Sequence, residues 1–272
     1  MQDNARRRAM AKTGEIDYLK NIEEEYGEAA VRHAVGKPFS DPNCAAFLSE
    51  IAAVLALLPP APARLLDLGC GTGWTSIFFA KSGYNVTGVD IAPDMIRHAD
   101  ESRQREGQES LQFRTADYEE FDGGGAFDAV VFYDSLHHAV DESAALRCAF
   151  RALKPGGICV ASEPGHGHQR QHDAVQAMRK YNVTEKAMPP AKIIGLARQI
   201  GFRGFHVYPH AFRIQREVFP RPRLESGPTL MRALRKTARV AMAPLRLLYR
   251  TARLAAWNEV GCWLTGITVL VK

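Results

Sequence analysis

At 272 residues, 46% hydrophobic and 24% charged, the chain has an ordinary globular composition, and one α/β domain with additions is expected. No apolar run approaches the ~20 residues of a spanning helix, and the start MQDNARRRAMAKTGE lacks the apolar stretch of a secretory leader, so a cytoplasmic location is expected. Of the 35 basic and 30 acidic residues, ten and three fall between Ile214 and Cys262, so that segment accounts for the whole net charge of +5.

Residues 1–14 are polar, basic and aperiodic, and are expected to be disordered. From Glu15 to Val35, Ile16, Leu19, Ile22, Tyr26, Ala29 and Ala30 recur at helical spacing until Gly36 and Pro38 stop the run. A further helix is expected over 42–58, with Asp41 as N-cap. Pro59, Pro60 and Pro62 lead from it into the stretch LLDLGCGTG, Leu65 to Gly73. An apolar run of strand length breaks there into Gly69, Gly71 and Gly73, and the helix-compatible WTSIFFAKSG follows. Glycines at such a turn allow positive φ and let a ligand approach the amides at a helix start. The next strand, NVTGVD, ends in Asp90, where a βαβ nucleotide fold places an acid on ribose hydroxyls. A nucleoside-bearing cofactor is implied.

A helix to about Arg103 precedes the strand LQFRTAD, which ends at Asp117; after Gly123, Gly124 and Gly125 comes the strand FDAVVFYDSLHH. A helix over Glu142–Leu153 stops at Lys154, Pro155, Gly156 and Gly157, and the strand ICVASEP follows. Strands separated by helices imply parallel pairing. Beyond Pro164 a His-rich loop, GHGHQRQHD, runs into a short helix, then another from Pro189 to Arg198. The strand FRGFHVYPHAFRI, the basic segment and a terminal strand ITVLVK complete the chain. Cys44, Cys70, Cys148, Cys159 and Cys262 are scattered, with no C-x-x-C pair, and read as buried or idle thiols.

DLGCGTG, GVD, Asp117, FDAVVFYDSLHH and LKPGG, in this order, resemble the class I S-adenosylmethionine-dependent methyltransferases. The resemblance covers roughly residues 61–272. It implies a seven-stranded Rossmann-like sheet, N-terminal lid-like helices within 1–60, and a basic helical insertion at about 214–262 between the last two strands. It further implies S-adenosylmethionine as methyl donor and S-adenosylhomocysteine as product. Carried onto this sequence, Gly69, Cys70, Gly71, Thr72 and Gly73 lie under the methionine part, with Asp67 organising the loop. Asp90 accepts the ribose hydroxyls, Ile91 flanks the adenine, Asp117 accepts its amino group beside Tyr118, and the fourth-strand end, Tyr133 to Leu136, passes near the sulfonium. The alternative for Asp117 is a turn cap.

A hydroxyl acceptor needs a base, and the candidates follow strands four and five: His137, His138, Glu163, His166 and His168. His137 and His138 could instead shape the cofactor pocket. His166, His168 and His172 were weighed as metal ligands, but no tight spacing with a second acid is evident and no metal is expected. Tyr18, Tyr26, Arg32 and His33 are candidates for lid contacts. In the basic segment, arginines and apolar residues recur on separate helical faces over Leu230–Ala255. Three readings stand: residues 221–258 lie on an anionic membrane at its inner face, track RNA, or pack on the domain or on a second copy in a homodimer. The expected function is O-methylation of a glycan, glycolipid or similar small acceptor, in the style of bacterial surface-polysaccharide or secondary-metabolite enzymes. RNA or natural-product methylation and a cofactor-binding regulatory or scaffold subunit are the alternatives.

Overall fold

The computed structural model describes residues 2–219 and 263–272, with 245, 248, 249, 252 and 256 between them. Helices α1 (Gln2–Tyr26), α2 (Glu28–Val35) and α3 (Cys44–Leu57) precede β1 (Arg64–Leu68), α4 (Trp74–Lys81), β2 (Asn85–Asp90), α5 (Pro93–Arg105) and β3 (Leu111–Thr115). Then come β4 (Phe127–Tyr133), α6 (Glu142–Ala152), β5 (Leu153–Ser162), α7 (His172–Tyr181), α8 (Pro190–Ile200), β6 (Gly204–Tyr208), α9 (Ala211–Val218) and β7 (Ile267–Val271).

The seven strands lie in the order β3-β2-β1-β4-β5-β7-β6. Strands β1 to β5 pair in parallel, and β7 inserts antiparallel between β5 and β6. Alternation of side chains along each strand builds two cores. On one face Leu66, Leu68, Val130 and Phe132 meet Leu146 and Ala149 of α6 and Ile193 and Ala197 of α8. On the other, Leu65, Ala129, Val131 and Val160 meet Ile51 and Val54 of α3 and Phe79 of α4. The chain runs outward from β1 to β3 and then returns to lay β4 on the other side of β1. That reversal opens a crevice beyond the carboxyl ends of β1 and β4, where an open α/β sheet receives ligands.

The structure differs from the sequence expectation in several places. The first residues are helical from Gln2, not disordered. Arg8 and Lys12 of α1 reach Glu119 and Asp117, more than 100 residues away, and local polarity could not show those partners. The helical run from Glu15 to Val35 is two helices, divided at Gly27, whose φ of 71° leaves the helical region. Asp41 does not cap α3; it accepts the Asn43 amide at 2.7 Å, and α3 starts at Cys44. The sixth strand stops at Tyr208 because Pro209 follows it, and residues 211–214, read as the end of that strand, belong instead to α9. The connection between the last two strands therefore begins at 209, not 214. The basic segment at 221–258 lies outside the described residues apart from the isolated positions named above. Among the described residues Cys44, Cys70, Cys148 and Cys159 are free thiols, and no helix is long and apolar enough to cross a membrane.

Candidate active site

The glycine loop after β1 has two kinds of glycine. A Cβ on Gly69 (φ +76°) would lie 2.5 Å from the Ser135 Cβ, and one on Gly73 (φ +82°) 2.5 Å from the Phe113 ring. These two let the loop pack against the segment after β4 and against β3. A Cβ on Gly71 (φ +52°) would meet nothing within 4 Å, because that edge of the loop faces an open cleft. Beneath the loop Asp67 is 1% exposed and accepts the hydroxyls of Thr75 at 2.7 Å and Ser76 at 2.6 Å, tying the first turn of α4 to β1. Burial pushes its carboxyl up to about 6, against the two hydroxyls.

The cleft has two lobes, of about 420 and 360 Å³, which share Tyr18, Lys37, Gly69, Gly71, Met95 and Asp134. Asp90 stands at its wall with Ile91. Its carboxylate accepts the amides of Gly71 at 2.8 Å and Ala92 at 2.9 Å, and burial raises its pKa against them. Each oxygen keeps acceptor capacity for a diol. Tyr118 and Asp117 close the same lobe. Asp117 accepts the Glu119 amide at 2.9 Å and pairs with Lys12 of α1 at 2.9 Å, so the expected adenine contact is shared with a lysine the sequence did not suggest. Thr72 donates to the Ala34 carbonyl at 2.8 Å, docking α2 on the loop, and burial pushes the Cys70 thiol well up. Tyr18, Tyr26 and His33 line the first lobe, whereas Arg32 pairs with Glu28. An open glycine edge with a carboxylate at its wall fits S-adenosylmethionine.

A third cavity, of about 660 Å³, adjoins the cleft between α3, α9 and the loop after β5. Phe47, Tyr133 and Phe212 give it apolar walls, with Asn43, Gln171, Arg213 and Arg216 as polar groups. Glu50 of α3 fixes its far side by accepting from Ser162 at 2.7 Å and from the Ala211 amide at 2.9 Å, with the His210 ring 2.6 Å away. Asp134 lines all three cavities and has a left-handed φ of 53°. Such a backbone in a non-glycine residue costs about 1–3 kcal/mol and persists where its surroundings over-determine it.

Those surroundings begin with Glu163, which is 1% exposed. Its carboxylate accepts the amides of Ser135 at 3.0 Å, Leu136 at 2.8 Å and His137 at 3.2 Å, and lies 2.8 Å from His137 Nδ1. With both oxygens engaged by four donors, Glu163 holds the turn after β4 and does not present a free base. Its contact makes Nδ1 the protonated nitrogen of His137 and leaves Nε2 facing the cleft. His137 Nε2 lies 3.5 Å from Glu185 Oε2, which is 2.6 Å from His168 Nε2. His138 donates from Nδ1 to the Thr184 carbonyl at 2.8 Å. Burial opposes its protonation, but the hydrogen bond and charge of Glu15, with Glu185 and Asp134, raise its pKa to about 10. The Glu185 hydrogen bond raises His168, and burial of Glu185 is outweighed by that bond and the nearby imidazoles, so its carboxyl is lowered.

Of the five candidate bases, the fold thus brings His137, His138, Glu163 and His168 together. His166 is exposed at the rim of the third cavity, its amide bonded to the Leu264 carbonyl. Glu185, Glu15 and Lys12 were missed, and Asp134 was included only within the stretch Tyr133 to Leu136, with no role of its own. Asp134 could have been suspected from its place directly after a buried strand; Glu185 and the two α1 residues carry no local signal.

The profile of the family described as "Methyltransferase domain" matches residues 66–161. The chain is 38% identical over 106 residues to a ubiquinone biosynthesis O-methyltransferase of Xanthomonas axonopodis pv. citri, a match covering 38% of this chain and 44% of that protein. It is 35% identical over 102 residues to an S-adenosyl-L-methionine-dependent Diels-Alderase of Talaromyces variabilis, covering 36% and 35%. It spans less than half the length of these relatives. Among solved structures it is similar to Haemonchus contortus phosphoethanolamine N-methyltransferase 2 in complex with S-adenosyl-L-methionine, with a TM-score of 0.61, 17% identity and coverage of 93% and 59%.

Proposed function

We infer that the chain has the fold of the class I S-adenosylmethionine-dependent methyltransferases, with residues 66–161 as its methyltransferase domain. We propose that the protein is such a methyltransferase and that it methylates a hydroxyl of a small acceptor seated in the 660 Å³ cavity. The observation that carries this reading is Asp134, a strained carboxylate where the acceptor cavity meets both lobes of the cofactor cleft. Further support comes from the Xanthomonas relative, which is named an O-methyltransferase.

Asp90 holds the ribose diol, the Gly71 edge lies under the methionine part, and Asp117 takes the adenine amino group. When bound, the cofactor supplies an electrophilic methyl group on a sulfonium. Asp134 would accept a hydrogen bond from the acceptor hydroxyl, orienting it, and would take its proton, while the methyl group leaves the sulfonium, with S-adenosylhomocysteine as the other product. Glu163 is a positioning residue: its grip on three amides fixes the turn that carries Asp134. Tyr18 and Lys37 line both lobes of the cleft. An apolar body with polar substituents suits the acceptor cavity, and a glycan or glycolipid is the finer proposal.

The cofactor half is tested by calorimetric titration with S-adenosylhomocysteine. Asp90→Ala removes two charge-assisted hydrogen bonds of ~1.5–3 kcal/mol each and should weaken binding at least ~100-fold. No binding by the parent would overturn the reading. The acceptor half is tested by transfer from methyl-labelled cofactor to a panel of phenols, catechols and saccharides. Asp134→Asn should lower turnover ~10²–10⁴-fold with unchanged cofactor affinity. Cofactor binding with no transfer to any hydroxyl would reject O-methylation and favour a use like that of the Diels-Alderase relative.

A further inference from the structure

We propose that His137, His168 and Glu185 bind a divalent transition-metal ion on the wall between the cofactor cleft and the acceptor cavity. Their donor atoms all lie within 4.8 Å of one another. They come from three separate segments: the turn after β4, the loop after β5 and the connection between α7 and α8. His137 is 3% exposed and Glu163 1%, so the innermost ligand and its support are built into the core.

The tautomer of His137 is the first argument. Its Nδ1 is 2.8 Å from the Glu163 carboxylate, which three backbone amides hold in place. A carboxylate on the far nitrogen of an imidazole is the usual support of a histidine metal ligand, fixing the ring and raising its basicity. That arrangement aims the Nε2 lone pair at Glu185 Oε2, 3.5 Å away. With Nε2 unprotonated, that distance leaves room for a cation between the ring nitrogen and the carboxylate oxygen. The spacing is close to the ~3.3 Å between neighbouring ligand atoms around a tetrahedral ion with bonds of ~2.0–2.1 Å. His168 Nε2 is nearer, at 2.6 Å from the same oxygen, a hydrogen bond that closes the metal-free cluster and would open by under ~1 Å on binding.

The charge balance is the second argument. Around His137, His138 and His168 stand four carboxylates: Glu163, Glu185, Asp134, whose oxygen is 3.9 Å from His137 Nδ1, and Glu15, 3.6 Å from His138 Nδ1. His138 cannot join as a ligand through Nδ1, which donates to the Thr184 carbonyl. Two imidazoles and one carboxylate suit Zn²⁺, Co²⁺ or Fe²⁺ and not Mg²⁺ or Ca²⁺. Three protein ligands leave a position open, the pattern of a working site and not of a structural one. Here it opens on the cavities that His168 lines on both sides. If the methyltransferase reading holds, the ion would grip the acceptor oxygen as a Lewis acid beside Asp134. Ion binding itself does not depend on that reading.

The test uses the untagged full chain, stripped by a chelator and titrated with Co²⁺ followed by visible absorption, and with Zn²⁺ by calorimetry. The parent and His166→Ala, whose side chain is outside the cluster, should each bind one equivalent with an imidazole-containing spectrum. His168→Ala and Glu185→Gln should bind at least ~100-fold more weakly, and Glu163→Gln ~10–100-fold more weakly. Near-ultraviolet circular dichroism matching the parent's in His168→Ala and Glu185→Gln serves as the check that they fold. Equal Co²⁺ affinity in the parent and His168→Ala would overturn the proposal and leave a proton-bonded cluster. Tight Co²⁺ binding by a parent that does not bind S-adenosylhomocysteine would sustain the metal site and sink the methyltransferase reading.

Discussion

Asp67 should make the stability of this fold depend on pH in the opposite sense to an ordinary surface carboxylate. It is buried at the end of β1, and burial raises its carboxyl from 3.8 to about 6 despite the hydroxyls of Thr75 and Ser76. The folded state therefore holds this proton more tightly than the unfolded chain. The stabilisation is fully present below about 3.8 and is lost as the pH rises through about 6. A change of that size is worth about 3 kcal/mol, so the ionised carboxylate at neutral pH costs the fold about that much. Asp67→Asn keeps an oxygen for both hydroxyls and carries no charge. Between pH 4 and pH 7 the parent should lose about 2.4 kcal/mol relative to the variant, part of the effect having gone already at pH 4. With a urea slope of ~3 kcal/mol/M, this is a relative shift of about 1 M in unfolding midpoint. Other carboxylates titrate in both proteins and largely cancel in the difference. Parallel midpoint-against-pH curves would refute the reasoning and leave Asp67 ionising as it does in water.

The two kinds of loop glycine should separate in mutation. Gly69→Ala adds a clash with Ser135 to a left-handed backbone and should cost about 2–5 kcal/mol. Gly71→Ala, whose Cβ meets nothing, should cost about 1–2 kcal/mol while weakening S-adenosylhomocysteine binding; equal stability losses by urea unfolding would contradict this. Lys12 holds α1 against Asp117 and Glu119. Lys12→Ala should speed amide exchange across residues 8–26 by at least tenfold, for a loss of ~1.5–3 kcal/mol, and unchanged exchange would show that α1 is held by its apolar contacts alone.

What the sequence determined by itself is the part of the site that is contiguous. From Arg64 to Asp90 a strand, a glycine turn, a helix and a second strand follow each other without interruption, and each is specified by its own pattern. Asp67, Gly71 and Asp90 were therefore legible in their places around one loop, because the geometry that relates them is that of a single βαβ unit. The parallel pairing of β1 to β5 was legible for a related reason: it demands the crossovers that the intervening helices supply.

Tertiary structure decided everything that depends on which distant segments meet. Glu163 read as a free acid in a polar loop; only its burial under Ser135, Leu136 and His137 shows it to be a clamp. His168 stood beside His166 in the sequence, yet its partner is Glu185 and its neighbour His137. Lys12 lay in a stretch that looked unstructured, and its ion pairs with Asp117 and Glu119 cross more than 100 residues. Periodicity tells which face of an element is buried, but not what that face will meet. For this chain the cofactor's place was written locally, while the acceptor cavity and the histidine–carboxylate cluster exist only after the loops beyond β4, β5 and α7 have packed together.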